Sequence, residues 1–175
     1  MNIKRNNEVK TINSFLFEMT LQTYKFYVDM DGVITDFDGE FKKFGKGTQY
    51  EYEDRQEEFF KILTSGGEKF WSEMKWKKDG KKLWNFIKKY NPIILSAPTR
   101  HISSKTGKIK WIKRELGSTQ QYILDKDKFK YADKNSILID DKTDKIESWR
   151  KYEGIGILHT SAEDTIEQIL ELKKE

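Results

Sequence analysis

Asp29 and Asp31 stand two residues apart at the end of an apolar, β-prone run, 24–28, that only Lys25 interrupts, and the chain then turns at Gly32. On a continuing strand, side chains two residues apart point the same way. Two carboxylates held ~4 Å apart repel by about 4 kcal/mol at an effective dielectric of ~20. A cation or a shared proton relieves such a conflict. The plain alternative is an acidic turn after a strand. What separates the two readings is whether other polar groups arrive at the same place.

Several do. Ser96 ends the apolar run 92–95, lysines at 126, 128 and 130 follow the short run 122–124, and Asp140 and Asp141 end the run 136–139. If these runs are parallel strands, all of the polar groups meet at the carboxyl edge, where open α/β sheets bind ligands. Singly they read as a helix cap, a surface lysine and a turn. Together they have the parts for phosphoryl transfer. A carboxylate can attack phosphorus and form an aspartyl-phosphate, and a second acid can protonate the leaving oxygen and then activate water. Magnesium, which takes oxygen ligands, would neutralise carboxylates and phosphate together, while a hydroxyl and a lysine hold the remaining oxygens.

The elements that must position these groups can be read from periodicity. Helical spacing predicts helices over 36–44, 53–63, 68–74, 78–90, 103–116, 129–132, 143–152 and 162–173, with Gly66-Gly67 as a stop. Strands are expected at 24–28, 92–95, 122–124, 136–139 and 154–158. Strands alternating with helices over short links imply an α/β fold, a doubly wound parallel sheet of Rossmann-like type. Residues 45–78 read as a small helical cap insert, between core segments 24–44 and 79–175, with 1–23 as an N-terminal extension. Gly45-Lys46-Gly47-Thr48 lacks the spacing of a phosphate loop and reads as an ordinary connection. The lysine-rich stretch 75–82 reads as a solvated face.

Composition narrows the classes. With 175 residues the chain can bury a real core, and 14 % aromatic residues argue against disorder although 35 % are charged. A net charge of +4 permits phosphate or nucleic-acid binding without demanding it. The absence of cysteine excludes disulfides and thiolate chemistry. No apolar run approaches the ~18 residues of a membrane span, and no signal-type core opens the chain, so a cytoplasmic protein is expected.

The order and spacing of these motifs resemble the haloacid dehalogenase (HAD) superfamily, and most closely its 5′(3′)-deoxyribonucleotidase branch. Val28-Asp29-Met30-Asp31-Gly32-Val33-Ile34-Thr35-Asp36-Phe37 is similar to that branch's first motif, and Ile94-Leu95-Ser96-Ala97-Pro98 to its hydroxyl-bearing segment. Lys110-Trp111-Ile112 through Leu116-Gly117 resembles its next helix, and Leu138-Ile139-Asp140-Asp141-Lys142 with Gly154-Ile155-Gly156-Ile157-Leu158-His159 its closing motif and last strand. The resemblance implies Asp29 as nucleophile and Asp31 as general acid/base. It implies substrate or phosphate binding at Ser96, Ala97 and Lys128, with Lys130 as the alternative lysine. Mg2+ would be held by Asp29, Asp31, Asp140 and Asp141. Ala97 stands where the branch has a second hydroxyl, and Lys142-Thr143 where it has Arg-Pro.

The implied substrate is a small phosphomonoester, a (deoxy)nucleoside monophosphate, with Phe44, Phe70, Trp71 and Trp76 of the insert as candidates for stacking on the base. The other expectation for those aromatics is that they are the insert's own core. An enzyme acting on phosphate at nucleic-acid ends is the second reading, and a binding protein on a retained fold the third. A homodimer is compatible with either enzyme. A two-component receiver domain fits poorly, because its phosphoacceptor lies on a later strand than its acid pair.

Overall fold

The computed structural model describes residues 19, 21–45 and 47–172. Residues 1–18 and 20 of the proposed extension 1–23 therefore lie outside the described residues. Five strands, β1 (Lys25–Val28), β2 (Ile93–Ser96), β3 (Tyr122–Leu124), β4 (Ser136–Asp140) and β5 (Ile155–Leu158), form one sheet in the order β3-β2-β1-β4-β5. Every pairing is parallel. This is the expected doubly wound α/β sheet, with helical segments inserted between β1 and β2.

Alternation along the strands divides the core into two layers. Phe26, Val28, Ile94, Ile137 and Ile139 face one side, with Leu83 and Ile87 of α3 (Gly80–Ile87), Trp111 and Ile112 of α4 (Ile102–Glu115), and Ile169 of α6 (Ala162–Glu171). Tyr27, Leu95 and Leu138 face the other, against Ile146 and Trp149 of α5 (Thr143–Lys151). A strand buried on both faces must be apolar at every position, which is why these runs read as continuous rather than alternating. No described helix is long and apolar enough to cross a membrane.

Chain order runs outward from β1 through β2 to β3, then crosses to β4 and β5 on the other side. The crevice between β1 and β4 is thus the switch point at which open α/β sheets hold ligands. Register sets what stands there. Val28 pairs with Ile139, and the next residue, Asp29, donates its N–H to Ile139 O at 3.0 Å. Asp29 therefore leaves the sheet beside Asp140.

Between β1 and α3 stand α1 (Phe37–Phe44), a 3-10 turn (Gln49–Tyr52) and α2 (Gln56–Ser72), the last two within the proposed insert 45–78. α2 is broken at Gly67, whose φ of 56° and ψ of −145° are non-helical. The chain before this break rests on aromatic contacts, with Phe41 5.3 Å from Phe59 and 5.4 Å from Tyr52 between ring centroids. The chain after it is fastened to α4 instead. Lys110 pairs with Glu68 at 2.5 Å, Arg114 donates to Ser72 O at 2.5 Å, and Trp111 Nε1 donates to Met74 O at 2.8 Å. Both connections between insert and core run side by side, Asp36 N donating to Lys75 O and Lys77 N to Ile34 O, each at 2.9 Å.

Candidate active site

The turn after β1 is built to keep Asp29 and Asp31 at the sheet edge. The N–H groups of Val33, Ile34 and Thr35 all donate to Met30 O, and the Thr35 hydroxyl adds a bond to the same oxygen at 3.0 Å. Gly32 completes the turn at φ +80°, a left-handed conformation that glycine adopts without strain. A Cβ there would lie 2.5 Å from Asp141 Oδ2, so glycine is also what admits the Asp141 carboxylate. Lys77, from the returning connection of the insert, donates its ammonium to Gly32 O and ties the turn to the insert.

Lys128 is buried between two carboxylates, 2.6 Å from Asp140 Oδ2 and 2.8 Å from Asp29 Oδ1. The first contact is an aligned hydrogen bond. The second is an ion pair without hydrogen-bond alignment, which leaves Asp29 Oδ1 buried and unbonded. Burial works against the Lys128 charge, but Asp29 and Asp140 outweigh it and hold the ammonium pKa above its usual value. Lys130, the alternative from sequence, points outward and pairs with Asp125 and Asp127 at 3.4 and 3.0 Å.

A second lysine, not foreseen from sequence, completes the group. Lys108 on α4 is fully buried, donates to Asp31 Oδ2 at 2.5 Å and to Ser96 Oγ at 2.9 Å, and lies 4.9 Å from the Trp71 ring centroid. Its signal was present, since the buried face of α4 runs Ser104, Gly107, Lys108, Trp111, Ile112, and a cation on such a stripe needs a partner inside. Ser96 is itself fully buried, and Ala97 is the neighbour that lines the cavity.

Asp29, Asp140 and Asp141 each present an oxygen within 4.8 Å of the others. Burial first, and the Asp29 charge second, push Asp140 up to about 7 and Asp141 up to about 6. Asp31 is also raised, mainly by burial, with Lys108 pulling against it. A quarter of its side chain still faces the cavity. Among these acids Asp29 Oδ1 and Asp141 Oδ1 are buried with no hydrogen-bond donor. An all-oxygen set with mutual repulsion, in which Asp141 Oδ1 has no donor and Asp29 Oδ1 only the Lys128 ammonium, fits a hard divalent cation such as Mg2+.

Above the acids lies a cavity of about 320 Å³, walled by Phe37 of α1, by Phe59, Phe60, Leu63 and Trp71 of α2 and by 97–100 from the loop after β2. Phe44, Phe70 and Trp76 do not line it. Phe70 is fully buried, Phe44 packs on Phe70 at 5.7 Å, and Trp76 donates to Glu115 at 2.6 Å behind α4. Trp71 reaches the cavity but is 2 % exposed, packed against Phe37 at 5.9 Å and Phe70 at 4.8 Å. Core is thus the reading its surroundings favour, and Phe60, 48 % exposed, is the ring with a free face. Trp71→Ala should lower unfolding free energy by about 3–5 kcal/mol and depress activity on all substrates together. A KM increase confined to nucleotides, with the urea midpoint unmoved, would return Trp71 to a stacking role.

No protein-family model matches this sequence, and no curated protein is significantly similar to it. Solved structures do share the fold. A hydrolase from Streptococcus pneumoniae TIGR4 superposes with a TM-score of 0.50 at 12 % identity, over 85 % of this chain and 99 % of that one. A HAD hydrolase, family IA, variant 3, from Entamoeba histolytica HM-1:IMSS gives 0.51 at 14 % identity, over 87 % and 100 %. The sheet, its strand order and its inserted helices are those of a HAD-like fold.

Proposed function

We propose that this protein is a magnesium-dependent phosphomonoesterase that works through an aspartyl-phosphate on Asp29, with (deoxy)nucleoside monophosphates as its substrates. The observation that most supports the reaction is the state of Asp29. It is a buried carboxylate at the switch point of the sheet, ion-paired through Oδ1 with Lys128 at 2.8 Å and clustered with Asp140 and Asp141. The motif resemblance to 5′(3′)-deoxyribonucleotidases and the aromatic-walled cavity of about 320 Å³ support a nucleotide as substrate.

In this reading an Asp29 carboxylate oxygen attacks phosphorus and the ester oxygen leaves as an alcohol, taking the proton held by Asp31. The raised pKa of Asp31 keeps that proton available. Water then attacks the phosphoryl group, gives a proton to Asp31 and releases orthophosphate, which restores the Asp29 carboxylate. Lys128 and Lys108 offset the negative charge of the transferring group, Lys108 also setting the position of Asp31 and Ser96. Asp29, Asp140 and Asp141 would hold the cation with the Asp31 carbonyl, and the cation would supply charge neutralisation and orientation of the phosphate.

The test is turnover of nucleoside monophosphates with EDTA and with restored magnesium. Loss and recovery are expected, and full activity without metal would refute the proposal. A thermal measurement gives an independent check with a definite sign. Asp140 and Asp141 hold protons in the folded state up to about 7 and about 6, against 3.8 in the unfolded chain. Their contribution to stability is therefore complete below the unfolded value and lost as pH rises through about 6–7. A cation needs these groups deprotonated. Magnesium should then raise Tm markedly at pH ~8 and little at pH ~5. Equal increments at both pH values would exclude these two acids as the cation's ligands.

A further inference from the structure

Beyond the acids the cavity does not end. A second cavity of about 540 Å³ adjoins it, and Phe60, Leu63, Thr99 and Arg100 belong to the walls of both. Four cationic side chains line the first cavity, and three have acid partners. Lys128 pairs with Asp29 and Asp140, Lys142 with Asp141 at 3.5 Å, and Lys145 with Asp144 at 3.0 Å. Arg100 has no ion pair or hydrogen bond from its side chain among the described residues. The loop that carries it is nonetheless braced. Thr99 N donates to Ser104 Oγ at 2.9 Å, Ser104 N donates to His101 O at 3.1 Å, and His101 Nδ1 lies 2.7 Å from Ser103 Oγ. An exposed guanidinium carried by a braced loop at the shared wall of two adjoining cavities, uncommitted to any acid, is suited to bidentate contact with a phosphate.

We propose that the second cavity receives the leaving group of the substrate and that Arg100 binds there a second phosphate, so that the preferred substrates are phosphomonoesters carrying a further phosphate on the leaving group. This rests on the phosphomonoesterase reading and adds to it the class of leaving group. Phe60, which lines both cavities with Arg100 and is half exposed, offers an aromatic face to whatever joins the two phosphates. Two sources carry this chemistry, a free nucleoside 3′,5′-bisphosphate and the 5′-phosphorylated end of an oligonucleotide.

Steady-state kinetics on four substrates separates the possibilities: p-nitrophenyl phosphate, a nucleoside 5′-monophosphate, the matching 3′,5′-bisphosphate and a 5′-phosphorylated trinucleotide. Wild-type kcat/KM should favour the bisphosphate over the monophosphate by about 10-fold or more, the size of a charge-assisted phosphate contact. Arg100→Gln should erase most of that ratio, while Arg100→Lys, which keeps the charge, should retain part of it. A trinucleotide equal to or better than the bisphosphate identifies a nucleic-acid end as the source, and a poorer one identifies the free nucleotide. Hydrolysis of p-nitrophenyl phosphate with equal kcat/KM for mono- and bisphosphate would overturn the second phosphate site and leave the phosphatase standing. No hydrolysis of any of the four would overturn both.

Discussion

Asp29→Asn is expected to reduce kcat by roughly 10⁵–10⁶-fold, the scale seen when a covalent nucleophile is removed. The amide keeps the shape of the side chain but has no anionic oxygen to attack phosphorus. The loss should not come from unfolding. Asp29 contributes to the raised pKa of Asp140 and of Asp141, so its neutralisation relieves repulsion in a buried cluster, and Lys128 keeps Asp140 as partner. Circular dichroism and a urea titration should therefore match or exceed wild type. In the wild-type protein a phosphoryl adduct trapped by acid quench should map to Asp29. An adduct on another residue, or near-normal turnover by the asparagine variant, would remove the nucleophile assignment.

Asp31→Asn is the second large effect, a loss of about 10²–10⁴-fold from the acid/base contribution. Its character should differ from that of Asp29→Asn, because the nucleophile remains. A good leaving group needs little protonation, so p-nitrophenyl phosphate should still phosphorylate Asp29. Hydrolysis of the adduct needs a base and should become slow. A burst of one equivalent of p-nitrophenol followed by slow turnover is the expected record. A uniform loss for good and poor leaving groups, without a burst, would show that Asp31 acts elsewhere, for example by holding Lys108 against Ser96.

The fold was legible because its evidence is periodic. Buried strands such as Ile137, Leu138 and Ile139 are apolar at consecutive positions, and helices such as Ile102–Glu115 repeat every third and fourth residue. What the residues do at the sheet edge depends on phase, which periodicity carries poorly. Lys128 and Lys130 lie on one 3-10 turn, Lys128–Tyr131, and the direction of entry into that turn alone sends one inward and the other to Asp125 and Asp127. Lys108 is hard to read from sequence, because a lysine reads as solvent-facing unless the flanking residues on its own stripe are weighed. The insert's aromatics were hardest of all. Phe37, Phe41, Phe59 and Phe70 form one stacked and edge-on cluster, and only their three-dimensional order decides that Phe60, not Phe44 or Phe70, turns a free face to the cavity.

The break at Gly67 divides the labour within α2. The half after it, with Met74 just beyond its end, is stitched to α4 by Glu68, Ser72 and the Met74 carbonyl, and so shares the fate of the helix that carries Lys108. The half before it carries Phe59, Phe60 and Leu63, and touches none of the four acids through a hydrogen bond or ion pair among the described residues. Substitutions in 56–66 can therefore reshape what enters the crevice while the apparatus that handles phosphorus stays in register. A lineage holding this architecture can change its diet by drift in one short segment, without having to reinvent its chemistry.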